Sequence, residues 1–315
     1  MTHRSPVITA PRRFDAAGIA GEMRNYELRA RTRGEGWSEW AETGNGDPVW
    51  FGGADRLQVR ARGWQPRGTV HYVTVPSASI PAARGTAPPP EEGPPMPDLV
   101  SRRDWGANLK PGGCPPRVGA SYGTVKAAYV HHTVSANDYT RAEAPGMVLA
   151  ICRYHRNANR WNDIGYNALV DRFGNVYVGR AGGVGRSVIG AHAQGYNAQS
   201  TGIAALGTFT KAPLSLAALR GTADYLAWKL VQHGKTNEGK AKLISAGGTS
   251  NRYPAGTVIH TLRIIGHRRT GWTECPGDAL NGQLGALRRR VQHRIDDAGG
   301  GGVGGGGTPR ALSSA

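Results

Sequence analysis

Seven prolines (Pro81, Pro88, Pro89, Pro90, Pro94, Pro95 and Pro97) fall within one short stretch among Ala, Gly and Glu. Such a stretch can neither donate a regular hydrogen-bond ladder nor bury a core. It favours extended polyproline geometry, a semi-rigid spacer. This break divides the chain of 315 residues into four parts: a small β-rich domain over 1–76, a Pro-rich linker over 77–99, a larger domain over 100–298 and a Gly-rich flexible tail over 299–315. It also predicts that 99–298 folds without the rest.

Before the break the pattern has a period of two. Tyr26, Leu28 and Ala30 alternate with Glu27, Arg29 and Arg31, and Leu57, Val59 and Ala61 alternate with Gln58, Arg60 and Arg62. Half-buried strands with one wet face follow. Gly34-Glu35-Gly36 and Gly44-Asn45-Gly46-Asp47-Pro48 read as turns. Trp37, Trp40, Trp50 and Trp64 are dense for so short a span, and a small β-domain needs large apolar side chains, so most of them are expected in its core. Residues 1–14, polar and basic, are expected to be poorly ordered.

After the break the period changes. Val125–His132 reads as a strand. A helix runs to about Asn157 with Val148, Ile151 and Tyr154 or His155 on one face; Thr140 with Glu143 suggests one start and Pro145 a later one. Tyr166–Val170 and Val176–Gly179 form a hairpin, and Ile203–Leu206 is a short buried strand. Ser215–His233 is a helix with a stripe of Leu216, Leu219, Ala223, Leu226 and Leu230, and Leu280, Leu284, Leu287, Val291 and Ile295 mark the last helix. Val258–Ile265 reads as one strand. The fold class is α+β, a three-layer α/β/α arrangement with a mixed β-sheet flanked by helices, preceded by the small all-β domain.

The chemistry-bearing stretch follows that strand: Gly266-His267-Arg268 … Thr273-Glu274-Cys275-Pro276-Gly277. An imidazole and a thiolate brought together by a turn-rich loop suit Zn²⁺, and Asp278 can cap the helix that follows. A catalytic site needs a third protein ligand and an open position. The best candidate is the pair His131-His132 at the end of an apolar strand. Neighbouring strand residues face opposite sides, so one of the two joins the site, and periodicity does not choose between them.

His131-His132-Thr133, Trp161-Asn162-Asp163-Ile164-Gly165-Tyr166-Asn167, Gly190-Ala191-His192 with Gly195-Tyr196-Asn197, Gly266-His267-Arg268 and Thr273-Glu274-Cys275-Pro276-Gly277 occur in that order. Together they resemble the type-2 N-acetylmuramoyl-L-alanine amidases and the peptidoglycan recognition proteins, from about Ser101 to about Ile295, some two thirds of the chain. Actinobacterial members carry a similar β segment ahead of the amidase part. The resemblance implies Zn²⁺ on His131, His267 and Cys275, with Tyr166 as the residue that stabilises the oxyanion or moves protons, and Thr273 as a hydrogen-bonding partner of the transition state. It implies a groove lined by His155, Trp161, His192, Tyr196, Asn197 and Arg268. The implied reaction is hydrolysis of the amide between N-acetylmuramic acid and L-alanine in peptidoglycan. The alternative is a recognition protein that binds peptidoglycan without cutting it. Members that only bind typically lack the cysteine ligand, so Cys275 favours the enzyme.

The net charge of +17 and pI near 10.3 call for an anionic partner. Nucleic acid, anionic lipid and the bacterial wall, with its peptidoglycan and anionic polymers, all qualify on charge alone. No nucleic-acid-reading signature is present, so no nucleic acid is expected. No apolar run reaches transmembrane length, and Met1–Gly21 shows no signal-peptide core. A secreted or wall-associated monomer is the location and state that the resemblance implies. Cys114 and Cys152 are left either as a disulfide, if Cys275 binds metal, or as buried thiols.

Overall fold

The computed structural model describes residues 1–20, 26–32, 34–43, 46–63, 68–76 and 93–299. Pro81 and Pro88–Pro90, Trp64 and the tail beyond 299 lie outside these residues.

The first part is a six-stranded antiparallel sheet of β1 (Thr2–Arg4), β2 (Ile8–Ala20), β3 (Tyr26–Arg31), β4 (Ala41–Thr43), β5 (Val49–Arg62) and β6 (Thr69–Val73). Residues 1–14 are therefore mostly in strands: β1 pairs with the end of β5, and β2 runs through the sheet between β5 and β6. The expected alternation holds in β3, whose burial pattern is strictly two-fold. Phe14, Tyr26, Leu28, Leu57 and Val59 form the core of this sheet.

The tryptophans do not. Trp37 and Trp40 fold over the outward arginines of the wet face. The Arg29 guanidinium lies 4.6 Å from both ring centroids, Arg60 lies 4.3 Å from Trp40 and Arg31 lies 4.7 Å from Trp37. Cation–π stacking on that face corrects the expected core placement, because the two-fold pattern puts aliphatic residues inside and leaves arginines as the tryptophans' neighbours. Trp50 is buried, but against the second part of the chain.

The second part is built on a six-stranded sheet of β7 (Leu99–Val100), β8 (Ala127–His132), β9 (Ala168–Val170), β10 (Val176–Val178), β11 (Ser200–Ala205) and, later in the chain, β14 (Ile264–Gly266). Its order is β14-β8-β11-β9-β10-β7, parallel except where β9 meets β10. A hairpin of β12 (Lys240–Ile244) and β13 (Val258–Leu262) stands apart. The expected strand over 258–265 is thus two strands. Arg263 separates them: its guanidinium donates to the carbonyls of Glu238 and Lys126, and its own carbonyl accepts from Ala128 N–H at 2.6 Å, carrying the chain from the hairpin into the main sheet.

Helices α1 (Ala144–Asn157), α2 (Leu216–Val231) and α3 (Asp278–Gly299) cover the sheet. Pro145 falls in the first turn of α1, while Thr140 bonds the Glu143 carboxylate just ahead of it, so both start signals are used, one inside the helix and one before it. Ser215 caps α2 by accepting from Ala218 N–H at 3.0 Å. Leu219, Ala223, Leu226 and Leu230 of α2 and Leu280, Leu284, Leu287 and Val291 of α3 bury against Val130, Ile203 and Ile264. At about 1.5–3 kcal/mol for each fully buried aliphatic side chain, this layer contributes a large share of the stability of the second part. Leu216, predicted on the same stripe, is exposed.

The opposite face of the sheet is shared. One end lies under α1 and the other under the β12–β13 hairpin, where Tyr129 and Ile265 meet Leu243 and Ile259. Ala16, Trp50 and Val73 of the first sheet join Met147, Ile151 and Tyr154 of α1 in a single buried cluster. Asn159 Nδ2 donates to Gly46 O at 2.9 Å, and Arg153 donates to Thr74 O. The two parts therefore share a core across α1, and a fragment of 99–298 would expose it.

Candidate metal centre

Alternation along β8 points Val130 into the α2/α3 layer and Tyr129 and His131 to the other face, between α1 and the hairpin. His132 takes the α2/α3 side, where its Nδ1 accepts from Phe209 N–H at 3.3 Å. On the neighbouring strand, β14 ends at Gly266 and a single 3₁₀ turn carries His267 toward His131, with ring centroids 4.7 Å apart. The loop that follows returns Cys275. Its N–H donates to Thr273 Oγ1 at 3.1 Å, and its carbonyl accepts from Arg268 N–H at 2.8 Å.

The ligand atoms of His131, His267 and Cys275 lie within 4.8 Å of one another, all three side chains buried. Cys275 Sγ stands 3.7 Å from His131 Nδ1. Zinc bonds of about 2.0–2.3 Å at tetrahedral angles place neighbouring N and S donors roughly 3.5 Å apart. Nδ1 of His267 is buried with no hydrogen-bond partner, as expected for a nitrogen whose lone pair awaits a cation. The residues present thus fit Zn²⁺ in number, spacing and donor softness. Burial, followed by the neighbouring imidazoles His267, His192 and His132, holds the His131 pKa well below its ordinary value, and burial lowers that of His267 to about 4. Both rings are therefore neutral at pH 7, the form that ligates. The other group of potential ligands, Cys114, Cys152 and Asp163, is spoken for: the two cysteines form a disulfide.

His192 supports the cluster from behind. Its Nδ1 lies 3.2 Å from His131 Nε2. If His131 ligates through Nδ1, its Nε2–H donates to His192, the arrangement that fixes tautomer and ring orientation in metal sites. Asn197 Oδ1 accepts the N–H groups of His192 and Ala193, each at 2.8 Å, and so holds this loop. The His192 ring lies flat over Gly202 of β11, where an added Cβ would come within 2.5 Å of it. Gly202→Ala is therefore expected to push His192 onto His131, cost about 1–3 kcal/mol by overpacking and weaken zinc retention. Thermal unfolding and zinc content of the purified variant check this; an unchanged zinc affinity would show that His192 does not orient His131.

The remaining expected residues divide. Tyr166 is buried with its ring 5.2 Å from that of His131. Trp161 stacks on His155 at 4.5 Å and is partly exposed. His155 is itself buried, Tyr196 is wholly buried against Tyr129, His192 lies beside His131, and Asn197 accepts the His192 N–H. His155, His192 and Tyr196 are thus buried in the wall of the site, while Trp161 and Asn197 are partly exposed. Arg268 braces the ligand loop through Glu274 O and Asp278, and Thr273 holds Cys275, so both act on the loop's shape. Two residues were given no role by the sequence, although Asp163 falls within the Trp161–Asn167 motif. Asp163, fully buried, accepts from Ile164 N–H and Ala181 N–H and pairs with Arg102 at 3.0 Å. Asp47, read as part of a turn, reaches Tyr166 and His155 from the other sheet.

A sequence profile described as N-acetylmuramoyl-L-alanine amidase matches residues 121–278. Peptidoglycan-recognition protein SC2 of Drosophila simulans is 30% identical over 179 residues, covering 57% of this chain and 80% of that protein. A human N-acetylmuramoyl-L-alanine amidase is 34% identical over 156 residues, which is 48% of this chain and 22% of the human protein. Among solved structures, bumblebee PGRP-SA aligns with 60% of this chain and 94% of its own, at 25% identity and a TM-score of 0.47.

Proposed function

The chain belongs to the N-acetylmuramoyl-L-alanine amidase family, and we propose that it is a zinc-dependent member that hydrolyses the amide between N-acetylmuramic acid and L-alanine in peptidoglycan. The observation that carries this reading is the buried trio His131, His267 and Cys275, with ligand atoms within 4.8 Å of one another and an unpartnered His267 nitrogen. When bound, Zn²⁺ would supply acidification of a water and polarisation of the scissile carbonyl. The chain's own residues do the rest. His192 keeps the His131 ring in its ligating tautomer, and Asn197 keeps His192 in place. Thr273 and Arg268 set the loop that presents Cys275. Tyr166 lays its ring against His131, and the partly exposed Trp161 offers an aromatic face to the substrate at the rim.

The wider assignment follows from the same reading. The catalytic part is the 100–298 segment, with the 1–76 sheet and the 77–99 linker before it. The Cys114–Cys152 disulfide supports an oxidising location outside the cytoplasm, and no described helix is long and apolar enough to cross a membrane. The +17 net charge favours contact with anionic wall polymers.

Purified protein is expected to carry about one zinc per chain, to release the stem peptide from soluble muropeptides, and to lose that activity to a chelator and regain it with Zn²⁺. Metal analysis and chromatography of the digestion products check this. Binding to peptidoglycan with no cleavage by the zinc-loaded protein would establish the recognition-protein alternative instead.

A further inference from the structure

A carboxylate enters the metal centre from the opposite part of the chain. Asp47 lies between β4 and β5 of the first sheet, and its side chain is wholly shielded from solvent. One oxygen, Oδ2, accepts from the Tyr166 hydroxyl at 2.6 Å. The other, Oδ1, meets His155 Nε2 at 2.7 Å. The far nitrogen of that ring, Nδ1, accepts the Gly165 N–H at 3.0 Å, so the proton of His155 is on Nε2 and is donated to Asp47. The loop is fixed where it crosses α1's C-terminal end. Gly46 has φ +79°, and a Cβ there would come within 2.9 Å of Asn159 Nδ2, the same nitrogen that donates to the Gly46 carbonyl.

Adhesion between the two parts does not need this group. Trp50, on the strand that follows, already supplies buried apolar contact to α1. A carboxylate shut away from water with no Lys or Arg partner among the described residues costs several kcal/mol unless its hydrogen bonds repay it, and burial does raise the Asp47 pKa. Both of its bonds go to the centre: to the tyrosine whose ring lies against His131, and to the histidine stacked under Trp161.

We propose that Asp47 is a positioning residue of the amidase site, so that the centre is complete only when the N-terminal sheet is docked on it. This inference rests on the amidase reading. A phenol has one proton. With that proton bonded to Asp47, Tyr166 turns oxygen lone pairs toward the ligand cluster and serves there as a hydrogen-bond acceptor, holding a water or amine N–H. That differs from the oxyanion-donating role the family resemblance suggests. His155, locked in one tautomer by Gly165 and Asp47, carries Trp161 at the rim.

The test uses the full-length zinc-loaded protein, with Asp47→Asn, Asp47→Ala, Tyr166→Phe and the double variant Asp47→Asn/Tyr166→Phe. Turnover of a soluble muropeptide is measured with zinc content, and the side-chain N–H of His155 is followed by ¹⁵N NMR. Asp47→Asn keeps the shape of the side chain, so it remains informative if Asp47→Ala fails to fold. We expect its kcat to fall about tenfold or more, with KM within about twofold and zinc retained. The double variant should lose less than the product of the two single losses, because Asp47 acts in part through that hydroxyl. The His155 Nε2–H resonance, protected in the wild type, should be lost in Asp47→Ala and exchange faster in Asp47→Asn, whose neutral amide oxygen is a weaker acceptor. Unchanged kcat would overturn the proposal by reducing the contact to a latch between the two parts. A rise in kcat would overturn it in the other direction, making the loop an obstruction. A wild type that holds zinc but cleaves no muropeptide would defeat the amidase reading itself; the NMR signal then decides Asp47 alone, and no protected Nε2–H in the wild type overturns the proposed hold.

Discussion

Cys275→Ser is expected to strip most of the zinc from the protein and to lower muropeptide turnover by on the order of a thousandfold or more, about 4 kcal/mol of transition-state stabilisation. A serine hydroxyl stays protonated at neutral pH where a ligating thiol does not, and it is a harder donor than Zn²⁺ prefers beside two imidazoles. The loop itself should survive. Its shape is set by backbone and neighbouring groups, namely Cys275 N–H to Thr273 Oγ1, Arg268 N–H to Cys275 O and the Arg268 side chain on Glu274 O. The thiol contributes none of these bonds. Melting temperature in the absence of zinc should therefore change little, and binding to insoluble peptidoglycan should persist, which turns the enzyme toward the binding-only type. The three measurements, zinc content, turnover and wall pull-down, separate loss of metal from loss of fold. Near-normal turnover by Cys275→Ser would remove this cysteine from the ligand set and with it the assignment of the centre.

The centre was largely legible in the sequence because its ligands are short-range features of strand ends. A histidine closing an apolar run lies at a sheet's rim, and a Cys-Pro-Gly turn after His267 has few ways to go but back. What pattern alone left open was the choice within His131-His132. Strand alternation made the two exclusive, but only the layer on each side distinguishes them: α2 and α3 fill the His132 side, where Phe209 N–H bonds the ring, while His131 faces the other side, beside His267 and Cys275. The helices were readable from their stripes. The β12 strand was missed although Lys240, Lys242 and Ile244 alternate outward from Ala241 and Leu243, because five residues of alternation among polar neighbours are weak against a loop reading. The tryptophans misled for a physical reason: Trp37 and Trp40 reach their low-energy partners on the outer, arginine-bearing face, so size and apolarity overstated their burial. Asp47 was beyond reach. Its neighbours read as a turn, and only the docking of one sheet on α1 brings it to Tyr166.

The second large effect concerns stability. The double variant Cys114→Ala/Cys152→Ala is expected to lose about 4 kcal/mol, the chain-entropy value for closing a loop of this size, since the disulfide spans a sequence separation of 38. For a domain of roughly 200 residues, that corresponds to a fall in Tm of about 8–16 °C. The bond is also placed where it matters to the centre. It ties the turn that carries Trp105 to α1, inside the same buried cluster as Trp50 and Tyr166. Beside it, Arg102 bonds both Cys114 O and Asp163, and Asp163 in turn holds the N–H groups of Ile164 and Ala181. Ile164 immediately precedes Gly165 and Tyr166, so loosening at the disulfide reaches the tyrosine through three hydrogen bonds. Below its own transition, however, the double variant should keep its zinc, because none of His131, His267 and Cys275 belongs to α1: they are on β8 and in the segment after β14. Calorimetry and zinc analysis at low temperature distinguish the two effects. A Tm within a degree or two of wild type would show that the packed cluster, not the cross-link, keeps α1 on the sheet; zinc loss at temperatures where the variant is still folded would show that the centre depends on α1 more than its ligand positions imply.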